Sequence, residues 1–223
     1  MGRHFRYIVL VLLFLILDID DTIKISDVRD RAKLLRHTFI DKHGTPVAGM
    51  PELYQSLTTR LSNPTFLYLS AGPWQLYRFV HQFVRTNYPL GEVILRDMSY
   101  VELSSFLETL TIGTQEYKED ELQKIHRWLP NKQFICIGDS TQTDPEAYAA
   151  TYLSLFLMML TSSYKRFPGW IKAIFIRVVE GVDVRIEKTR LNTPERFATA
   201  FDGVPRDVWR TFKDPSELMS ITF

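Results

Sequence analysis

Ile8-Val9-Leu10-Val11-Leu12-Leu13-Phe14-Leu15-Ile16-Leu17-Asp18-Ile19-Asp20-Asp21-Thr22 begins as an unbroken apolar run and then surfaces abruptly in three acids. A short run with no polar alternation suits a strand covered on both faces. A carboxylate at the carboxyl end of such a strand opens onto the crevice where open α/β sheets bind ligands. Asp20, two residues after Asp18, is expected on the same face. One carboxylate of such a pair can attack phosphorus while the other handles the leaving group's proton. An isolated D-x-D-x-T also reads as an acidic turn, because Asp populates turns freely.

The 223 residues suffice for one sizeable core. Lys and Arg number 27 against 26 Asp and Glu, so overall charge gives no reason to expect a nucleic-acid partner, and any anion site must be local. The one cysteine, Cys136, excludes an internal disulfide and a thiolate zinc cluster, and its apolar neighbours make it a small buried hydrophobe. The five histidines show no metal-ligand spacing. Arg3, His4 and Arg6 before the apolar run resemble the start of a signal sequence. The run is shorter than the roughly 20 residues that span a bilayer, and no polar cleavage region precedes Asp18. A first β-strand is the preferred reading.

Apolar periodicity predicts helices over 26–39, 50–61, 74–86 and 118–129, the last with Leu122, Ile125 and Trp128 inward, and another starting near Pro145. Strands are expected at Thr65–Leu69, Glu92–Leu95, Gln133–Ile137 and Lys172–Val179, with a tight loop at Ser70-Ala71-Gly72-Pro73. Residues 100–110 are less regular. Strand alternating with helix argues for a parallel sheet with helices on both faces. Such a sheet would bring Asp18–Thr22, Ser70–Gly72 and Asp139–Asp144 to one edge. Turns alone do not require a carboxylate pair, a hydroxyl and a second carboxylate pair in that order.

D-x-D-x-T, a strand-terminal Ser, a Lys opening a helix and G-D-x-x-x-x-D resemble the haloacid dehalogenase-like (HAD) phosphatase superfamily. Asp18–Lys24, Leu69–Tyr77, Leu95-Arg96-Asp97-Met98-Ser99, Ile137–Glu146 and Arg166-Phe167-Pro168-Gly169 resemble the catalytic domain of fungal actin-patch phosphatidate phosphatases. The resemblance covers most of the chain. It implies one HAD-like catalytic domain over 1–223: an α/β, Rossmannoid, three-layer fold with a mainly parallel central sheet. It also implies Mg2+-dependent removal of phosphate from phosphatidate, leaving diacylglycerol.

By motif position the resemblance makes Asp18 the nucleophile that forms an aspartyl-phosphate and Asp20 the acid, then base. Ser70 and Lys118 become the phosphoryl-binding hydroxyl and the neutralising cation. Asp139 and Asp144 complete a magnesium site with Asp18 and the backbone carbonyl of Asp20. Thr22, Ala71, Gly72, Arg96 and Arg177 are candidates for contacting substrate. Asp144 also reads as the cap of a helix with Pro145 at its first position, and Arg96 and Arg177 read equally as structural ion-pair partners. The implied surroundings are a membrane phospholipid, cortical actin and endocytic proteins, and a cytoplasmic location peripheral to membranes or actin patches.

Only 52 positions separate Asp18 from Ser70 and 48 separate Ser70 from Lys118, leaving space for at most a small cap. An open site of this kind suits a membrane or a protein surface. Against the family pattern, 151–164 is an extra apolar stretch and 1–17 an atypical start. Both are read as abnormal or gene-model-derived segments, for 151–164 in preference to a membrane-touching insertion. A continuous helix over 145–167 would be about 35 Å long. Two further functions stay open: a HAD phosphatase for phosphoprotein or a soluble phosphate ester, and an inactive adaptor of the cortical actin machinery.

Overall fold

The apolar run becomes a central strand, β1 (Leu13–Asp18). Its side chains divide by the period of two, Leu15 and Leu17 packing into one layer and Ile16 into the other. The computed structural model describes residues 13–26, 44–97, 113–161, 169–180 and 191–222, with backbone only at 159–161. The beginning of the apolar run and the helix expected over 26–39 lie almost wholly outside them. Residues 27–43 and 98–112, parts of the two intervals expected to leave space for at most a small cap, also lie outside them.

α1 (Met50–Arg60), β2 (Thr65–Pro73), α2 (Tyr77–Asn87) and β3 (Gly91–Arg96) follow. Next come α3 (Thr114–Trp128), β4 (Gln133–Asp139), α4 (Asp144–Thr161), β5 (Ile171–Arg177), α5 (Pro194–Ala200) and β6 (Trp209–Phe212). The six strands form one sheet in the order β3-β2-β1-β4-β5-β6. Every neighbouring pair is parallel, which makes the fold Rossmann-like. The chain order reverses between β1 and β4, so the crevice expected at a topological switch point opens beside the ends of these two strands.

α1 and α2 cover one face through Met50, Leu53, Tyr54 and Leu57, and Val80, Phe83 and Val84. The first set sits at helical spacing of i, i+3, i+4 and i+7, which concentrates its apolar area on one side. α3, α4 and α5 cover the other face through Leu122, Ile125, Tyr148, Leu155 and Phe197. Cys136 is buried in this second layer, as its apolar neighbours imply.

Three local expectations are corrected. β2 continues through the supposed loop to Pro73, its register against β3 shifting between Ser70 and Pro73. α3 starts at Thr114, so Lys118 lies one turn inside the helix rather than at its opening. Trp128 closes that helix 73% exposed instead of inward, because the covered stripe runs through Lys118, Leu122 and Ile125 to Leu129, which packs on the second layer, and Trp128 falls beside it. The carboxyl-terminal α5 and β6 had no strong periodic signal, being only 7 and 4 residues long.

α4 has 18 residues and ends at Thr161. Its buried stripe of Asp144, Ala147, Tyr148, Thr151 and Leu155 carries helical spacing without interruption into the extra apolar stretch. Phe156, Leu157 and Met158 then face outward. No helix among the described residues is long and apolar enough to cross a membrane.

Candidate active site

β1 ends at Asp18 and β4 at Asp139, the two strands that flank the switch point. The Asp18 carboxylate is fully buried and takes a hydrogen bond from Lys118 Nζ at 2.7 Å on Oδ1. Oδ2 accepts from Thr22 Oγ1 at 2.8 Å, and the same hydroxyl lies 3.4 Å from Asp139 Oδ2. The Lys118 ammonium also donates to Asp144 Oδ1, while Asp144 Oδ2 accepts from the Asp139 N–H at 3.0 Å. Asp144 therefore turns back toward the strand end. Gly138 permits this approach, because a Cβ there would sit 2.5 Å from Asp144 Oδ2.

Asp20 belongs to a different network. Regular strand geometry stops at Asp18, and the Ile19 carbonyl accepts from the Ile23 and Lys24 amides in a tight loop. The two carboxylates thus share an edge without the strict same-face pairing of an extended strand. Ser70 Oγ donates to Asp20 Oδ2 at 2.7 Å, and Ser26 Oγ donates to Oδ1 at 2.6 Å. Lys24, buried, donates to Ser26 Oγ at 2.7 Å and stands 4.0 Å from Asp20 Oδ1. Asp21 takes φ 57°, the left-handed region that Asp tolerates better than most residues, and its carboxylate accepts the Ser26 N–H.

The remaining sequence-derived candidates fall at the same edge with more specific partners. Gly72 N–H donates to Ser70 Oγ at 2.9 Å, so the hydroxyl organises its own turn while holding Asp20. Ala71 is buried beside it. Arg177, at the end of β5, donates from Nη1 to the Asp21 carbonyl at 2.6 Å. Arg96, at the end of β3, lies over the Tyr117 ring at 5.6 Å from its centroid. Of Lys118, Lys124 and Lys132, which lie close together in the chain, only Lys118 enters the acid cluster; Lys124 pairs with Glu121 at the surface. Lys24, Ser26 and Thr141 were not singled out by sequence. Thr141 donates from both its amide and hydroxyl to Asp139 Oδ1. A small polar residue inside a turn carries no distinguishing signal until its partner is known. A cavity of about 470 Å³, lined in part by Lys172, Arg206, Trp209 and Arg210, lies toward the opposite ends of β5 and β6 and takes no part in this site.

Facing oxygens of Asp18, Asp139 and Asp144 lie within 4.8 Å of one another, all three residues being buried. Among the described residues one ammonium, Lys118, lies within hydrogen-bond reach of two of these three carboxylates, Asp18 and Asp144. Such an excess of buried negative charge is expensive unless protons or a cation balance it. Burial, then the neighbouring Asp144, pushes the Asp18 carboxyl well above the usual carboxylate range. Burial and Asp144 likewise push Asp139 up to about 7, against the opposing pull of Lys118 and Thr141. Burial alone would lower the Lys118 ammonium, but Asp144 and Asp18 outweigh it and hold it protonated. An all-oxygen donor set with surplus negative charge fits a hard divalent cation.

This geometry has a measurable pH signature. The folded Asp139 carboxyl titrates near 7 and its ordinary value is 3.8, so between these limits the folded chain holds a proton that the unfolded chain has lost. Stability of the metal-free chain should therefore fall as pH rises from about 4 to about 7. A cation that replaces the proton should stabilise the fold increasingly over the same window. Urea midpoints in EDTA and in excess magnesium, compared at pH 5 and 7.5, measure the gap. A gap that is constant or narrower at pH 7.5 would contradict this linkage.

Residues 13–178, which contain every acid just described, match the model of the family described as the phosphatidate phosphatase APP1 catalytic domain. The chain belongs to this family. It is 33% identical over 165 residues to a Saccharomyces cerevisiae protein named phosphatidate phosphatase APP1, covering 73% of the present chain and 25% of that relative. The chain thus spans about a quarter of the length of that curated relative. The APP1 catalytic-domain match includes the first five strands and ends at residue 178, before α5 and β6.

Proposed function

We propose that the chain is a magnesium-dependent phosphatidate phosphatase that acts through an aspartyl-phosphate on Asp18. The observation that carries this reading is the division of labour at the sheet edge: Asp18 joins the Lys118, Asp139 and Asp144 cluster, while Asp20 is held apart by Ser70 and Ser26. Asp18, Asp139 and Asp144 would hold the ion, with the backbone carbonyl of Asp20 as the family pattern implies. Magnesium, when bound, supplies the positive charge that lets a carboxylate and a phosphate dianion approach.

In the first step an Asp18 carboxylate oxygen attacks phosphorus, and the bond from phosphorus to the lipid oxygen breaks. Asp20, protonated, gives its proton to the departing alkoxide, releasing diacylglycerol. In the second step Asp20, now a carboxylate, takes a proton from water as the water oxygen attacks phosphorus. The acyl phosphate bond opens, phosphate leaves and Asp18 returns as a carboxylate. Two displacements replace one harder one. Lys118 fixes the orientation of Asp18 by pairing it with Asp144. Ser70 holds Asp20 through 2.7 Å and stands where it can give a hydrogen bond to a phosphoryl oxygen instead.

Trp74 supports a lipid in preference to a freely soluble ester. It lies four positions after Ser70, is 53% exposed and stacks on Tyr77 with ring centroids 4.5 Å apart. An exposed amphipathic aromatic ring four residues along the chain from a site hydroxyl suits the boundary between headgroup and acyl chain.

Phosphate release from phosphatidate in detergent mixed micelles, with magnesium or with EDTA, tests the reading. Release is expected with magnesium and should fall to background with EDTA. Turnover of a soluble aryl phosphate without turnover of phosphatidate would move the substrate to a water-soluble ester. A folded chain inactive on both would favour a binding role over catalysis.

A further inference from the structure

We propose that Arg196, beyond the span matched by the family, is a positioning residue that shapes the cation site by clamping the loop between Asp139 and Asp144. The proposal rests on the magnesium reading of that site. Arg196 occupies the first turn of α5, where Thr193 Oγ1 caps the helix by accepting its N–H at 3.2 Å. Its guanidinium reaches the loop Ser140-Thr141-Gln142-Thr143 that joins the two acids.

The number of contacts matches the chemistry of the group. Arg presents five N–H donors in a planar fork. Nη1 donates to the Ser140 carbonyl at 2.5 Å and to the Leu191 carbonyl at 2.9 Å. Nη2 donates to the Gln142 carbonyl at 2.6 Å and to Glu146 Oε2 at 3.0 Å. Nε donates to Glu146 Oε1 at 2.9 Å. Five donors thus meet five acceptors on the loop, the first turn of α4 and the segment leading into α5.

Two of these acceptors are alternate carbonyls of the acid-bearing loop, so the fork fixes its backbone and not merely a neighbouring side chain. The inner side of the loop is held independently, by Thr141 on Asp139 and by Thr143 against Thr114 at 3.2 Å. Ser140 Oγ also accepts the Val179 N–H at 3.1 Å. Glu146 pairs with one edge of the guanidinium, through Nε and Nη2, which neutralises it locally. Arg196 therefore acts through geometry more than through its charge. Releasing the clamp should leave the carboxylates present but no longer preset for a small cation that demands near-octahedral geometry.

The test uses the 223-residue chain, with Arg196→Ala and Arg196→Lys beside wild type. Magnesium is titrated by calorimetry and by its effect on thermal unfolding, and phosphate release is followed over the same concentrations. Both variants should need about ten to a hundredfold more magnesium for half-maximal effect, the usual scale for losing an outer partner of a metal site. Activity should recover toward wild type at saturating magnesium. Lys keeps the charge but has three donors, so it should restore little.

A merely structural role would instead lower the melting temperature in EDTA while leaving the magnesium midpoint unchanged, and that result overturns the proposal. Should R196A fail to fold, R196K decides alone: a raised midpoint supports the clamp, and an unchanged midpoint overturns it. Absence of any magnesium effect on the wild-type chain would overturn the metal reading and this inference together.

Discussion

Asp18→Asn should reduce phosphate release at least about a thousandfold, the scale expected when a nucleophile is removed from a site whose other parts remain. The substitution nearly preserves shape: the amide oxygen can still accept from Lys118 and the amide nitrogen can donate to Thr22, whose hydroxyl is 2.8 Å from the present carboxylate. What disappears is the negative charge and the oxygen that attacks phosphorus. Burial and Asp144 already disfavour that charge in the metal-free fold. The variant should accordingly unfold in EDTA at neutral pH no more easily than wild type, while being inactive. Phosphate release at a steady rate, beside urea unfolding of both chains, separates catalysis from folding. Undiminished turnover in D18N would remove Asp18 as nucleophile and return the acidic cluster to the reading of an ordinary turn.

Lys118→Met has the largest expected effect on stability. Lys118 is fully buried and donates to both Asp18 and Asp144. Replacing it with an apolar side chain of similar length strands buried carboxylates without the ammonium they share. Breaking such a pair from one side costs roughly 3–5 kcal/mol. The cost should depend on pH, with a sign set by the carboxylates. Loss of the ammonium raises their folded values further above the ordinary 3.8. The folded variant therefore keeps protons on Asp18 and Asp139 that folded wild type gives up, and its deficit against wild type grows as pH passes the wild-type Asp139 value of about 7. Urea unfolding of K118M and wild type in EDTA at pH 5 and 8 should show the larger difference at pH 8. Equal stability at pH 8 would mean that Lys118 does not balance the cluster. Phosphate release should also collapse in the variant, because Asp18 loses its fixed orientation.

The acids legible in the sequence were those whose surroundings identified them locally. Asp18 and Asp139 each close a run of apolar residues that reads as a strand, and Asp144 sits before Pro145 at a helix start. Parallel topology then brings them together at one edge. Lys118 was named through the family resemblance; helical periodicity alone does not separate it from Lys124 in the same charged helix, and its burial and partners do. The fate of the Ser70 turn was half legible: the hydroxyl does bond its own chain at Gly72, yet the strand continues to Pro73 and the same hydroxyl holds Asp20. Trp128 was misjudged because the covered stripe passes from Ile125 to Leu129 and leaves Trp128 beside it.

By itself, the sequence determined the order of the first five strands and the placement of acids at strand ends. These follow from side-chain periods of two and 3.6 and from turn chemistry, all of which act over a few residues. Only the tertiary structure decided which polar groups share a proton, a cation or a clamp. Lys118 meets Asp18 across 100 positions of chain, and Arg196 meets Ser140 across 56. Such pairings depend on how crossovers return each strand to the sheet and on which groups become too deeply buried for water to satisfy them. A lone arginine on a short helix carries no local mark of that obligation; the carbonyls it must satisfy are assembled only when the chain folds.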